Sequence, residues 1–505
     1  MEENPQPVEW KRFMWLGWIA PAGIVLLIAL CYGVVDLWDG HAWNEYRQNY
    51  EAHVAPLELR AYIPKAVPDD ENFAATPFAQ SWFARNNDSD LLGHDAYSQA
   101  TQMIGNGGGG KFQDLVAWQE AFAAAASHAE KPKGGFRPAQ RDLASRAQAA
   151  PDVLDGLKDD AAAFEDLRAA SARADARYPV VYDLKNPWEI VLPHLARIKQ
   201  TCLRLELRAS AELAAGQNEN AAADVKLMLY LADTLKTEPF LISYLVRIAC
   251  LHIAIVPIWE GLADHRWTDA ELQQLQARLE PYDFVADMQR SFQAERAGGV
   301  LTVALLKQKG PGLLANFEDN KRKSVHWDKP PLSWLARLAP SGWYDLEKLH
   351  YCQREDSEFQ GGVDVAARRV FPSRLAANLQ AVKRNPKGLW HNVIHHQLIA
   401  SLMSSGLDRI AIKAAAAQTD ADEAAMACAL ERYRLANRNF PDDLAALAPR
   451  FADHLPNDVI TGEPYKYRNT EDGRFVLYSV GWNETDDGGV PGKPMFSETE
   501  GDWVW

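Results

Sequence analysis

The longest run of apolar positions lies near the start of the chain. From Phe13 to Val35 the sequence reads FMWLGWIAPAGIVLLIALCYGVV, without a charged residue. A helix of that length crosses the roughly 30 Å hydrocarbon core of a bilayer. Lys11 and Arg12 precede it. Asp36 and Asp39 follow it, and the next basic residue is Arg47. This asymmetry predicts a cytoplasmic tail over 1–12, a transmembrane signal anchor over 13–35, and everything beyond Asp36 on the periplasmic side of an inner membrane. The competing reading is a cleaved signal peptide, whose apolar stretch is normally about 7–15 residues and ends in a small-x-small site. The following YGVVDLWDGHAW has no such site, and Leu30 is a poor neighbour for a lipidated Cys31.

A second apolar run, Phe240 to Trp259, is also about one bilayer long but contains Arg247, His252 and Pro257. A central Arg costs about 2.5–3.5 kcal/mol on insertion scales. The run is therefore read as a buried core helix, with Pro239 in its first turn and Glu238 at its positive end. Elsewhere the period is helical. Leu195, Ile198, Cys202, Leu205, Ala209 and Leu213 step by three and four, Gly216 stops that helix, and Ala221, Val225, Met228, Ala232 and Leu235 resume the period. This pair resembles a tetratricopeptide hairpin, present in one convincing copy. Trp267-Thr268-Asp269-Ala270-Glu271-Leu272 is a helix start with a capping box and an apolar staple. The predicted layout is an irregular linker region over 36–110, a helical body over 111–300, an irregular and helical connection over 301–388, a long helical region over 389–438 and a small β head over 439–505. The fold class is α+β, mostly α: a transmembrane helix, a helical bundle with the hairpin, and an antiparallel head.

Composition narrows the function. The 505 residues carry a net charge of −15, which argues against a broad grip on nucleic acid. The five cysteines, Cys31, Cys202, Cys250, Cys352 and Cys428, form no CxxC pair. Buried thiols are expected, and a Cys202–Cys250 bridge stays open. GNGGGGK, Gly105 to Lys111, matches the start of a phosphate-binding loop, but Phe112 stands where Mg²⁺ needs Ser or Thr, so a turn is expected. His391 and His395 are spaced i, i+4 with His396 beside them. Asn392 replaces the Glu of the zinc-protease pattern and no third ligand is spaced for them, so they are read as ordinary histidines. There is no GxSxG elbow and no carboxylate pair singled out by spacing.

From Met426 onward the pattern changes to helix end, short helix capped by Asp442 or Asp443, hairpin over Asp472-Gly473, and acidic loop. The return strand Arg474–Val480 alternates Phe475, Leu477 and Ser479 with Val476, Tyr478 and Val480. Asn483, Glu484, Asp486 and Asp487 crowd into five residues before Gly488-Gly489. Carboxylates this close need solvent or a cation. A hard cation such as Ca²⁺ takes about six to eight oxygens, and a solvated acidic turn is the plain alternative.

This segment resembles the globular head of the major (G-type) pseudopilin of type II secretion over about 65 residues. The matching pieces are Ala429-Leu430-Glu431-Arg432-Tyr433, Phe440-Pro441, Leu455-Pro456-Asn457-Asp458, Gly462-Glu463-Pro464-Tyr465-Lys466-Tyr467, Asp472-Gly473, Tyr478-Ser479-Val480-Gly481 and Gly488-Gly489. The resemblance implies a calcium-binding final loop with Asn483, Asp486 and Asp487 as ligands. Thr461 and extra loop residues depart from the family pattern. No Gly-Phe processing site precedes Phe13, and the head lies about 390 residues from the membrane helix, so processing and polymerisation as a pilin are not expected. The whole chain also resembles a family of bacterial membrane-anchored proteins, through VPDDENFAATP, EPFLISYLVRIA and YSVGWNETDDGG, a likeness that implies no activity. The expectation is a non-enzymatic scaffold or interaction protein of the cell envelope, touching the lipid bilayer and envelope protein partners. The rival is an envelope hydrolase or glycan-binding protein whose site is assembled from distant residues.

Overall fold

The computed structural model describes residues 9–83, 96–104, 112–127, 143–310, 339–383, 391–392, 395–397, 407–470 and 472–505. The protein is mostly helical with small antiparallel sheets. The glycine loop Gly105–Lys111 lies outside the described residues.

The chain gathers into two compact units. The first comprises Met1–Ala61, Arg296–Glu358 and Gln380–Ser405. Its first helix, α1 (Glu9–His53), is built on the predicted apolar run. From Ile24 to Trp38 the large apolar side chains stand exposed, with Leu26 at 72% and Leu37 at 78%. The helix does not stop at Val35, which corrects the irregular reading of 36–110. Trp43, Tyr46 and Tyr50 recur at helical spacing and pack with Leu57 against Leu349, Tyr351 and Cys352 of the helix Ser341–Phe359. The guanidinium of Arg296 lies 4.8 Å over the Tyr50 ring and donates to Glu355 Oε2 (2.7 Å) and Asp356 Oδ1 (2.6 Å). Tyr46 Oη donates to Asp356 Oδ2 (2.7 Å). At Gly342 a Cβ would fall 2.6 Å from the Val35 carbonyl oxygen, so only glycine allows the approach of these two helices. Gly342 N donates to Asp36 Oδ1 at 2.6 Å. The apolar part of α1 is thus continuous with a packed, hydrogen-bonded unit.

The second unit comprises Tyr62–Glu295, Phe359–Leu379 and Gly406–Trp505. The segment VPDDENFAATPF, Val67 to Phe78, ends in two short helical pieces. Asn72 caps a 3₁₀ turn, Phe73–Ala75, and Thr76 caps the short α2 (Pro77–Ser81) with Pro at its first position. Then follow α3 (Ala96–Ile104), α4 (Leu115–Ala126), α5 (Leu143–Gly156), α6 (Ala161–Ala170), α7 (Pro193–Ala214) and α8 (Asn218–Asp233). The two regularly spaced stripes meet here, since α7 and α8 pack on each other and both pack on α9 (Leu241–Ala263). Helix α9 is the second apolar run. Its Cys250, Leu251, Ala254 and Ile258 are fully buried, as a core helix requires. Pro239 precedes the helix and does not sit in its first turn. Helix α10 (Asp269–Leu279) opens with the full capping box between Thr268 and Glu271. Trp267 tucks onto Gly261, where a Cβ would lie 2.2 Å from the indole nitrogen. Cys202 and Cys250 are buried and free, as are Cys352 and Cys428, so the open bridge is not formed.

Helix α11 (Phe284–Lys309) continues past the expected end of the body at residue 300. α12 is the Ser341–Phe359 helix already described. A two-stranded ladder, β1 (Val363–Asp364) with β2 (Arg369–Val370), leads into α13 (Pro372–Lys383). Helix α14 (Leu407–Asn437) follows, its many buried alanines admitting close neighbours. Asp443 caps the short helix Leu444–Leu447. The hairpin forms between β3 (Lys466–Asn469) and β4 (Phe475–Ser479), with Lys466 opposite Tyr478 and Asn469 opposite Phe475. A third strand, β5 (Trp503–Val504), pairs Trp503 with Ser479. That strand has no two-residue signal in the sequence. The head is not a detached cap. Val459, Ile460, Val480 and Trp503 belong to the same buried cluster as Leu205, Leu251 and Ile258. Asp422 on α14 accepts from Tyr465 Oη (3.1 Å), and Glu423 accepts from Ser479 N (3.1 Å).

Candidate functional site

The acidic loop lies between β4 and β5. Asn483 and Asp487 come together, with Asn483 Nδ2 donating to Asp487 Oδ2 at 3.2 Å. Asp486 turns elsewhere. Its Oδ1 accepts from Tyr478 Oη and Gly488 N, both at 3.0 Å, and Lys466 Nζ lies 3.5 Å from its Oδ2. The Gly488 N–H, then the Tyr478 hydroxyl, holds the Asp486 carboxyl below the usual carboxylate range. Glu484 reaches Ser373, accepting from its backbone N at 3.2 Å and from its hydroxyl. The sequence reading missed Asp502. It is fully buried beside β5 and takes the backbone N–H of Asp487 (3.1 Å) and of Gly489 (2.6 Å). Burial pushes its carboxyl upward. Asp487 Oδ2 accepts in turn from Gly501 N at 3.1 Å. The donors are all oxygen, which fits a hard cation. Their placement gathers Asn483, Asp487 and Asp502 and leaves Asp486 aside. Among the described residues no three His, Cys, Asp or Glu side chains converge on a common point suited to a metal.

The rings of His391 and His395 lie against each other at a tilt of 32°, with centroids 3.9 Å apart. His396 lies edge-on to Trp343, and burial, then the charges of His350 and His395, lowers its pKa to about 4.

The motif EPFLISYLVRIA supplies two buried polar arrangements. In the first, Glu238 sits between His194 Nε2 (2.7 Å) and Ser243 Oγ (2.5 Å). The His194 ring is stacked on Tyr178 (4.2 Å) and Phe83 (5.3 Å). Activation of a serine needs the imidazole next to the hydroxyl. Here the carboxylate stands between them, so the arrangement ties α9 to α7 and makes no nucleophile. In the second, Arg247 is buried against the stacked rings of Tyr282 and Phe284, at 4.9 and 4.8 Å from their centroids. It donates to Asp287 and to Asp233 (3.3 Å), and Arg278 Nη2 reaches the other oxygen of Asp233 at 3.3 Å. Burial opposes the Arg247 charge, but Asp287, Tyr282 and Asp233 together more than restore it, holding its pKa above the ordinary value.

Arg247 lies in the wall of a cavity of ≈ 500 Å³ whose other charged residues are Arg173, Asp175, Asp233, Lys236 and Arg278. No local spacing announced it, because its residues come from the 171–176 segment, α8, α9 and α10. No family model, characterised protein or solved structure matches the chain.

Proposed function

We propose that the protein is a membrane-anchored scaffold or interaction protein of the bacterial cell envelope, with α1 as its single span and its body on the periplasmic side. The observation that carries this reading is the state of α1. None of its most apolar window is buried, yet its last turns are locked into a packed unit. Leaving such a helix in water forfeits about 25 cal/mol for each Å² of apolar surface, and a bilayer removes that cost. Lys11 and Arg12 on one flank and Asp36 and Asp39 on the other favour the outward orientation. The test is a pair of reporters fused after Trp505. Alkaline phosphatase should be active there and green fluorescent protein dark; the reverse pattern overturns the reading.

The C-terminal sheet on α14 serves in this proposal as a pseudopilin-like recognition head, which leaves secretion machinery as the partner class. Calcium bound by Asn483 and Asp487, with Asp486 released from Tyr478 and Gly488 to join them, stiffens the head. Supporting this is the side-chain oxygen that each of the three residues carries, with Asn483 and Asp487 held adjacent by the Asn483 Nδ2–Asp487 Oδ2 hydrogen bond. The full chain in detergent should then melt several degrees higher in calcium than in chelator, and Asp487→Ala should abolish the difference. Identical melting of the unsubstituted chain in both buffers removes calcium from the proposal.

A further inference from the structure

The cavity beside Arg247 carries an inference independent of the anchor and the head. It is ≈ 500 Å³ in volume, within the roughly 300–1,000 Å³ typical of small-molecule sites. Its walls hold four cations, Arg173, Lys236, Arg247 and Arg278, against two carboxylates, Asp175 and Asp233. The chain as a whole is acidic, at −15, so the concentration of positive charge here runs against its composition.

Internal pairing engages Arg247 and Arg278 but, among the described residues, not Arg173 and Lys236. Arg247 is matched by Asp287, and Arg278 shares Asp233 with it. Arg173 donates to the backbone carbonyls of Asp69 and Asn72, both at 2.8 Å, which fixes its position without cancelling its charge. Lys236 is exposed and forms no ion pair among the described residues. The two tyrosines in the wall have their hydroxyls engaged, Tyr230 on the Arg173 carbonyl (2.8 Å) and Tyr282 on the Leu229 carbonyl (3.3 Å). The Tyr282 ring is buried, stacked on Phe284 at 5.2 Å and covered by Arg247, so the half-buried Tyr230 is the tyrosine with ring surface to offer. Thr237 and Ser171 add hydroxyls, and Asp175 adds a carboxylate to the wall.

We propose that this cavity binds a small hydroxylated organic anion of sugar-phosphate or sugar-acid size. Lys236, Arg278 and Arg173 take the anionic group, Asp175 accepts from hydroxyls, and the Tyr230 ring covers the carbon skeleton. Arg247 holds Asp233 in place beneath Arg278 and so acts as a positioning residue.

The experiment is calorimetric titration of the full chain in detergent with glucose 6-phosphate, with glucuronate and with glucose. At least one of the two anions should bind tighter than about 1 mM, and which one binds separates a phosphate from a carboxylate ligand. Glucose should give no binding. Arg278→Gln and Lys236→Gln should each weaken the anion roughly tenfold, the value of one charged hydrogen bond, while leaving the unfolding midpoint near that of the unsubstituted chain. Lys466→Gln, a change in the head, should leave binding as it was. The proposal fails if neither anion binds at 10 mM (about ten times that limit), if glucose binds equally well, or if Lys466→Gln weakens binding as much as Arg278→Gln.

Discussion

Helices α1 and α9 are both long and apolar enough to cross a membrane, yet the fold treats them oppositely. Helix α1 leaves Ile24, Val25, Leu26 and Leu27 between 59% and 72% exposed and buries none of its apolar window. Helix α9 has 56% of its window buried. Mean hydropathy reaches 1.9 in α1 from Pro21 onward and 2.1 in α9, so hydropathy does not separate them. Ionisable side chains do. Phe13–Val35 has none that is charged, so nothing in it resists lipid. Helix α9 carries Arg247 and Glu260, and other helices supply a partner for each: Asp287 for Arg247, and Arg146 for Glu260 at 2.8 Å. A charge on an apolar helix is tolerable in a protein core where its counter-charge is built in, and expensive in lipid where it is not.

The sharpest way to break this comparison is Arg247→Leu. It strands Asp287, whose side chain is only 14% exposed, and removes one of the two arginines on Asp233. Loss of one member of a buried pair costs about 3–5 kcal/mol, and the lower end applies here because Arg278 still serves Asp233. The same change makes the α9 segment easier to insert by roughly 3 kcal/mol. Urea unfolding of the full chain in detergent should show a lower midpoint with an unchanged slope. The isolated α9 segment should pass from translocated to inserted in a membrane-insertion assay. Unaltered stability would mean that the pairs of Arg247 do not hold α9 in the body.

This contrast also explains what the sequence could show. Phe13–Val35 was legible because a run without charge needs no partner to interpret it. Thr268 and Glu271, and the stripe from Leu195 to Leu213, were legible because their information is contained within a few turns. The continuation of α1 was not, because the uncharged run ends at Asp36 and the contacts that carry the helix onward come from far away. Tyr46 and its acceptor Asp356 are 310 residues apart. Asp502 escaped notice because its partner Asp487 lies 15 residues upstream in the chain with no motif between them. The cavity escaped for the same reason. Arg173, Lys236, Arg247 and Arg278 become neighbours only once α8, α9 and α10 are packed.

A smaller effect tests the other charged position of α9. Glu260 takes Arg146 Nη2 and Gln113 N (2.6 Å), while Glu206 on α7 takes Gln113 Nε2 at 2.7 Å. Arg146 thus serves Glu260, and among the described residues Glu206 has no cation paired with it. Burial, helped by the Glu260 charge, pushes Glu206 up to about 8 against the opposing hydrogen bond from Gln113. The folded chain therefore keeps a proton that the unfolded chain releases near 4.5. Its contribution to stability is complete below that pH and is lost as pH rises through about 8, at about 1.4 kcal/mol for each pH unit between the two values. Glu206→Gln preserves the shape of the neutral acid and has no proton to lose. It should match the unsubstituted chain at pH 5 and exceed it at pH 8, flattening the decline between them. Thermal melts at the two pH values decide the matter: if both proteins lose stability in parallel, Glu206 is already ionised in the folded state. Membrane attachment through α1, whose apolar run carries no charged residue, should not change over the same range.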